Sequence, residues 1–227
     1  MCGRFTLTVD VRGLTDSITG LKPESAAVSP RFNICPSQPV VVVLNDGKLE
    51  VSKAKWGLIP TWAKDSTIGN KLANARCEGI AEKPSFRGPL KRRRCLVLAD
   101  GFYEWKPTKP KTPYYFRLKS KAVFAFAGLW DVWRDPTGQE IVSCCLITTT
   151  PNAVVQSVHD RMPVILQPKF YDLWLSSQER TPAELTPALV PYPAAEMVGF
   201  PVATLVNKPQ NDGPDCIQPA VTAAVLL

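Results

Sequence analysis

Cys2 stands next to the start of the chain, in Met1-Cys2-Gly3-Arg4-Phe5. Removal of Met1, which the small Cys2 and Gly3 side chains permit, would leave Cys2 with a free α-amine and a thiol on adjacent carbons. Such a 1,2-aminothiol attacks an aldehyde twice: the amine forms a Schiff base, and the sulfur then closes a five-membered thiazolidine ring. The amine needs little activation, because an α-amino group titrates near roughly 7.7 to 8.0 and a lysine only near about 10.4. Position alone fits an ordinary encoded cysteine equally well.

Other residues suit the same chemistry. Glu104 lies between Phe102-Tyr103 and Trp105, and a carboxylate among aromatics is desolvated, which raises its pKa toward neutrality; the alternative is a strand-end glutamate facing water. His159 is the single histidine, so it is the one side chain whose ordinary pKa suits proton transfer near pH 7; the alternative is a structural histidine. Asn74 offers an amide to fix a small polar substrate, and Arg76, two residues on, a guanidinium that can grip a phosphate. Arg4 follows Cys2 at the same spacing and is expected near whatever Cys2 touches.

Composition narrows the partners. Residues 1–121 hold 22 Lys/Arg against 10 Asp/Glu, and residues 122–227 hold 5 against 10. The positive field is therefore concentrated in the first half. There Lys91-Arg92-Arg93-Arg94, with Trp56, Trp62, Phe102, Tyr103 and Trp105 along the same half, suits a polyanion whose bases stack on aromatics. The seven cysteines form no CxxC pair, which predicts reduced thiols, no metal site and no cofactor. No apolar run reaches about 18 residues and no signal peptide opens the chain, so a cytoplasmic protein without a membrane partner is expected.

The elements that must carry these residues are mostly strands. Residues 40–44 are a β-branched run, Asn45-Asp46-Gly47 is a turn signal, and 49–56 alternates, together the clearest hairpin. Residues 72–78 read as extended, so that Asn74 and Arg76 share a face. Residues 95–99 read as a buried strand broken by Asp100-Gly101, with 102–105 following. Residues 114–118 and 123–129 read as two paired strands, 141–149, 164–166 and 197–203 as further strands. Short helices are expected at 9–18, 151–158, 168–175 and 181–189, the last capped by Thr181 with Pro182 at its first position. Residues 22–39 read as irregular, 81–94 as a surface segment, 106–113 and 131–139 as loops. The expected fold is a single α+β domain with a largely antiparallel, barrel-like sheet and short flanking helices.

Taken in order, Met1-Cys2-Gly3-Arg4-Phe5, Asn33-x-x-Pro36, Trp56-Gly57-Leu58-Ile59-Pro60-x-Trp62, Asn74-Ala75-Arg76, Arg94 through Trp105 and His159-Asp160-Arg161-Met162-Pro163 resemble the SRAP family, the SOS-response-associated peptidase domain. The resemblance runs from Cys2 to about Pro219 and leaves 220–227 as a tail. It implies a monomer that shields abasic sites in single-stranded DNA, with replication-fork proteins as candidate partners and the bacterial nucleoid as its place of work. It further implies Cys2 as nucleophile, Asn74, Glu104 and His159 as its supporting groups, Arg4 and Arg76 on DNA phosphates, Trp62 in a loop with the same task, and Pro36 in a loop that wedges or bends the strand. Residues 82–88 receive no role. Two readings compete: a cysteine peptidase using Cys2 with His159 as base, self-processing included, and a non-covalent module for damaged DNA.

Overall fold

In the computed structural model, which describes residues 2–21 and 29–220, the chain opens with β1 (Arg4–Leu7), the short helix α1 (Arg12–Thr15) and β2 (Arg31–Ile34). Within the 9–18 segment only one turn is α-helical. β2 corrects the irregular reading of 22–39: its Asn33 and Ile34 are buried and it pairs with β1, although residues 22–28 lie outside the described residues. The hairpin forms as expected, β3 (Pro39–Asn45) against β4 (Leu49–Trp56), with Asn45 opposite Leu49. Gly57 turns the chain out of β4 at φ +135°, and a Cβ there would lie 2.6 Å from the Gly69 carbonyl oxygen, so only glycine lets the loop fold back on itself. That loop delivers β5 (Asn74–Arg76).

Next come α2 (Pro84–Arg92), β6 (Arg94–Ala99), β7 (Gly101–Lys106), β8 (Thr112–Leu118), β9 (Phe124–Arg134) and β10 (Glu140–Thr149). The chain finishes with α3 (Ala153–Gln156), β11 (Met162–Pro163), β12 (Ile165–Leu166), α4 (Tyr171–Leu175), α5 (Pro182–Leu185) and β13 (Met197–Pro201). Thr181 and Glu184 close a reciprocal capping box on α5. The expected tail falls, from residue 221 on, outside the described residues.

The strands form two sheets. One runs β13-β8-β7-β1-β2. In the other, β10-β4-β3-β6-β9 closes on itself because β9 also pairs with β10, a five-stranded ring in which only the β4–β10 pairing is parallel. The largely antiparallel, barrel-like core is therefore observed. The two expected partners 114–118 and 123–129 do not pair: β8 joins β7 and β13, and β9 joins β6, β10 and β12. β9 also runs on through Asp131 to Arg134, because Val132 and Trp133 continue its pairing with β10; the loop is confined to the residues after it.

The sheets meet through aromatic rings. Phe5 packs on Trp56 at 5.0 Å between centroids and on Phe126 at 5.6 Å, and Phe102 lies 5.2 Å from Phe116 and 6.2 Å from Phe126. Full burial of each such ring stabilises the fold by about 1.5–3 kcal/mol. The 81–94 segment lies at the surface as expected but is anchored there: α2 exposes one face and buries Phe86, Pro89 and Leu90 against β9 and β6. Among the described residues no helix is long and apolar enough to cross a membrane.

Candidate active site at the chain start

β10 organises the site. On one edge it pairs in parallel with β4 and then with β5, placing Leu146 opposite Asn74, and at its end it pairs with β11 beyond the His159 loop. Ala75 points into the core, so Asn74 and Arg76 share the other face as expected. Asn74 Nδ2 donates to the carbonyl of Cys2 at 2.8 Å, fixing the main chain of that residue rather than its side chain. Asn74 Oδ1 is buried and accepts no hydrogen bond among the described residues, so the amide keeps an acceptor for an incoming hydroxyl.

Cys2 is completely buried, and its thiol points at the Arg4 carbonyl, 3.8 Å away. Burial, then the nearby Glu104, pushes the thiol well above its ordinary pKa, so the sulfur is a neutral S–H. Glu104 comes from β7. Along that strand Tyr103 and Trp105 occupy one face, while Phe102, Glu104 and Lys106 occupy the other. Burial pushes the Glu104 carboxyl up to about 7, the consequence expected from its aromatic flanks.

His159 Nε2 lies 3.7 Å from Glu104 Oε2. The Asn152 side chain caps α3 by accepting from Val154 and Val155, and the His159 amide donates to the Val155 carbonyl at 3.0 Å, so the helix end sets where the imidazole begins. Its Nδ1 accepts from the Arg161 amide at 3.0 Å and lies 3.1 Å from Asp160 Oδ1. These two contacts ask for opposite tautomers. The amide is a fixed donor, whereas the Asp160 side chain is 86% exposed and screened by water, so the proton belongs on Nε2, facing Glu104. Burial pushes the imidazole below its ordinary pKa and keeps it neutral.

Cys2, Asn74, Glu104 and His159 thus converge, and no side chain of the four expected DNA contacts hydrogen-bonds Cys2 among the described residues. Arg4 lies opposite Tyr103 in the β1–β7 pairing, on the face away from Glu104. Its Nη1 donates to Asn33 Oδ1 at 2.7 Å and to the Val206 carbonyl at 2.6 Å, and its guanidinium covers the Trp105 ring at 5.4 Å. Arg76 is exposed at the end of β5. Trp62 is 59% exposed beside a cavity of about 640 Å³ whose far wall is α2. Pro36 opens the turn after β2, which Ser37 ties to Asn70 through a 3.1 Å hydrogen bond.

The basic run forms only part of the stacking surface expected of it: Arg92 and Arg93 line the cavity beside Trp62, while Arg94 is withdrawn from it. Arg94 is buried and donates to the carbonyls of Leu90, Lys91, Trp174, Ser176 and Gln178. Arg93 pairs with Asp131, and Lys91 and Arg92 both pair with Glu179, at 3.3 and 2.9 Å. Two carboxylates from the second half of the chain thus pair with three of the four cations of the run. Sequence reading also missed Glu78, whose two oxygens accept from Arg161 Nη1 and Nη2 at 2.7 and 2.8 Å, while Nη2 also donates to the Thr148 carbonyl at 2.7 Å. The partners are far apart in sequence, so no spacing signal exposes the pair.

Comparison with known proteins identifies the family. Abasic site processing protein YoqW of Bacillus subtilis (strain 168) is 44% identical over 223 residues, covering 96% of this chain and 99% of its own. Abasic site processing protein HMCES of Rattus norvegicus is 32% identical over 232 residues, covering 84% of this chain and 65% of its own. A crystal structure of a protein from Bacteroides thetaiotaomicron superposes with a TM-score of 0.84 at 26% identity, covering 97% of this chain and all of that one. The model of the SOS response associated peptidase (SRAP) family matches residues 1–209, and the chain belongs to that family.

Proposed function

We propose that this protein senses abasic sites in single-stranded DNA and shields them by forming a thiazolidine crosslink through Cys2 once Met1 is removed. The observation that carries the reading is the Cys2 carbonyl held by Asn74 at 2.8 Å in a buried site whose other members are a carboxyl raised to about 7 and a neutral imidazole. It is supported by relatives named as abasic site processing proteins.

An abasic deoxyribose is a masked aldehyde, mostly closed as a hemiacetal. Glu104 in its acid form gives its proton to the ring oxygen as the sugar opens, the neutral His159 holds that oxygen by a hydrogen bond from Nε2–H, and the C1′ hydroxyl passes its proton to water as the carbonyl forms. Glu104, as carboxylate, takes a proton from the Cys2 ammonium. The freed amine adds to C1′ and the resulting carbinolamine loses water to give the Schiff base. The thiol then adds across the C=N bond, sulfur to carbon and proton to nitrogen, so the neutral S–H of the buried cysteine brings both atoms the ring needs. Closure also protects the DNA, because an open Schiff base can drive β-elimination of the 3′ phosphate.

Arg4, Arg76, Trp62 and Pro36 are proposed to hold and bend the strand around this centre. Arg4 can do so through Nε and Nη2, since its intramolecular hydrogen bonds among the described residues leave from Nη1. The peptidase reading requires a thiolate beside an imidazolium. Here the thiol is pushed up, the imidazole is pushed down, and the sulfur points at a carbonyl rather than at His159, the opposite of that need.

The test is incubation with a uracil-containing single-stranded oligonucleotide pretreated with uracil glycosylase. A band surviving denaturing electrophoresis, absent with undamaged oligonucleotide and lost in Cys2→Ala, is expected. A wild-type yield from Cys2→Ala would remove the nucleophile, and reversible binding with no covalent product would leave only a recognition module.

A further inference from the structure

Beyond His159 the protein has a second cavity of about 510 Å³ to which neither the motif match nor the proposed chemistry assigns a role. Its walls come from the end of β7 and the end of α3: Lys106 and Thr108 on one side, Gln156, Ser157 and His159 on the other, with Asp160 at the rim. Lys106 is the single cation lining it, is half-buried, and forms no ion pair among the described residues, unlike Lys91, Arg92 and Arg93. A lysine in a concave site without a carboxylate partner presents a cation that an anion entering the site would meet.

The register of β7 says where that anion sits. Glu104 and Lys106 are two residues apart on one strand, so they share a face and are offset by roughly 6.6 Å. Glu104 faces the Cys2 end and His159 bridges the two positions, so a sugar carbon reacting at Cys2 would place the phosphate attached to its own ring within reach of Lys106. Thr108 Oγ1, which shares a 3.0 Å contact with Thr112 Oγ1, and Ser157 Oγ add hydroxyls to the same walls. Asp160, leaning toward His159 Nδ1, sets a negative boundary on the far side and confines an anion to the lysine side.

We propose that this cavity receives a phosphodiester adjoining the reacting sugar, with Lys106 as the positioning residue that grips it. The assignment rests on the abasic-site reading for the identity of the sugar, but not on the covalent step. Lys106 would align C1′ with the Cys2 amine without touching the reacting atoms.

The experiment measures binding of the full chain to a labelled single-stranded oligonucleotide carrying a tetrahydrofuran abasic analogue, which has no latent aldehyde and cannot be crosslinked. Plotting log affinity against log salt concentration, Lys106→Met should lower the slope by about 0.7, the share of one phosphate on a single strand, and Lys106→Arg should keep it. Replacing either the 3′ or the 5′ flanking phosphate by a neutral methylphosphonate should abolish the difference between wild type and Lys106→Met for one of the two positions. An unchanged slope in Lys106→Met, or a difference that survives both methylphosphonates, overturns the proposal. Absence of a crosslink on the natural abasic oligonucleotide would instead remove the covalent reading and leave the slopes to decide this one.

Discussion

Arg161 holds Glu78 through both arms of its guanidinium, at 2.7 and 2.8 Å, and so ties the loop carrying His159 to the segment that leaves β5 just after Asn74. The same guanidinium is anchored to the Thr148 carbonyl of β10, and the amide of the same residue holds His159 Nδ1. One residue therefore sets both the position and the tautomer of the imidazole.

Glu78→Gln should disturb that setting at little cost to the fold. The Glu78 side chain is 54% exposed, so the loss should stay within about 1 kcal/mol in urea unfolding. Crosslinking should slow, and the pH profile of the rate should change as His159 loses its fixed tautomer. A wild-type rate and profile would show that the pair serves stability alone. Arg161 holds the Glu78 carboxyl down to about 2, below its unfolded value, so the pair's stabilisation is present above roughly pH 4.3 and is lost as pH falls through about 2.

Glu104 makes the opposite prediction. Its folded pKa of about 7 lies above the unfolded value near 4.3, so the folded state binds the extra proton. Stability from this group is full below roughly pH 4.3 and falls as pH rises through about 7. Glu104→Gln should match wild type near pH 4 and exceed it at pH 8, on the order of 1–3 kcal/mol, while forming adduct more slowly. Thermal melts at the two pH values check the first part and a gel time course the second. A variant equally destabilised at both would mean that Glu104 is merely structural.

Because Asn74 holds the carbonyl of residue 2, substitution of the side chain should leave the amine in place. Cys2→Ala and Cys2→Ser should therefore give an imine that borohydride traps on the abasic oligonucleotide, but no heat-stable adduct without reductant. Asn74→Ala should weaken both products. Failure of Cys2→Ser to trap under reducing conditions would show that the amine is not the first nucleophile.

The core offers a control remote from the chemistry. Phe126 contacts Phe5, Phe102 and Phe124, with centroids at 5.6, 6.2 and 5.2 Å. Phe126→Ala should cost about 3–5 kcal/mol in urea or thermal unfolding. Surviving folded protein should crosslink at the wild-type rate, and a loss of only a few tenths would contradict the role of this ring in joining the sheets.

The parts of the fold that were legible in the sequence are those whose cause is local. Val40 to Leu44, the Asn-Asp-Gly turn and the alternation that follows specify a hairpin by themselves, and Thr181 with Glu184 specifies a helix start. Glu104 was legible because the aromatics around it in the chain mark a buried strand, although Tyr103 and Trp105 themselves point to the opposite face. What could not be read depends on partners brought together only by folding: β8 and β9 are sequence neighbours in different sheets, and Asp131 and Glu179 pair with cations of a basic run lying many residues away. A linear charge count cannot distinguish an arginine that awaits a phosphate from one, like Arg94, filled by five carbonyls.

The complete burial of Cys2 bears on how long the protein stays competent. On the proposed reaction Cys2 is used once per molecule, so each copy must survive unspent until its substrate arrives. Peroxides attack thiolates, and a shielded, fully protonated sulfur offers almost none. The enclosure thus lengthens the chemical shelf life of a single-use reagent, and protein aged in mild peroxide should keep its crosslinking yield until unfolding exposes the thiol.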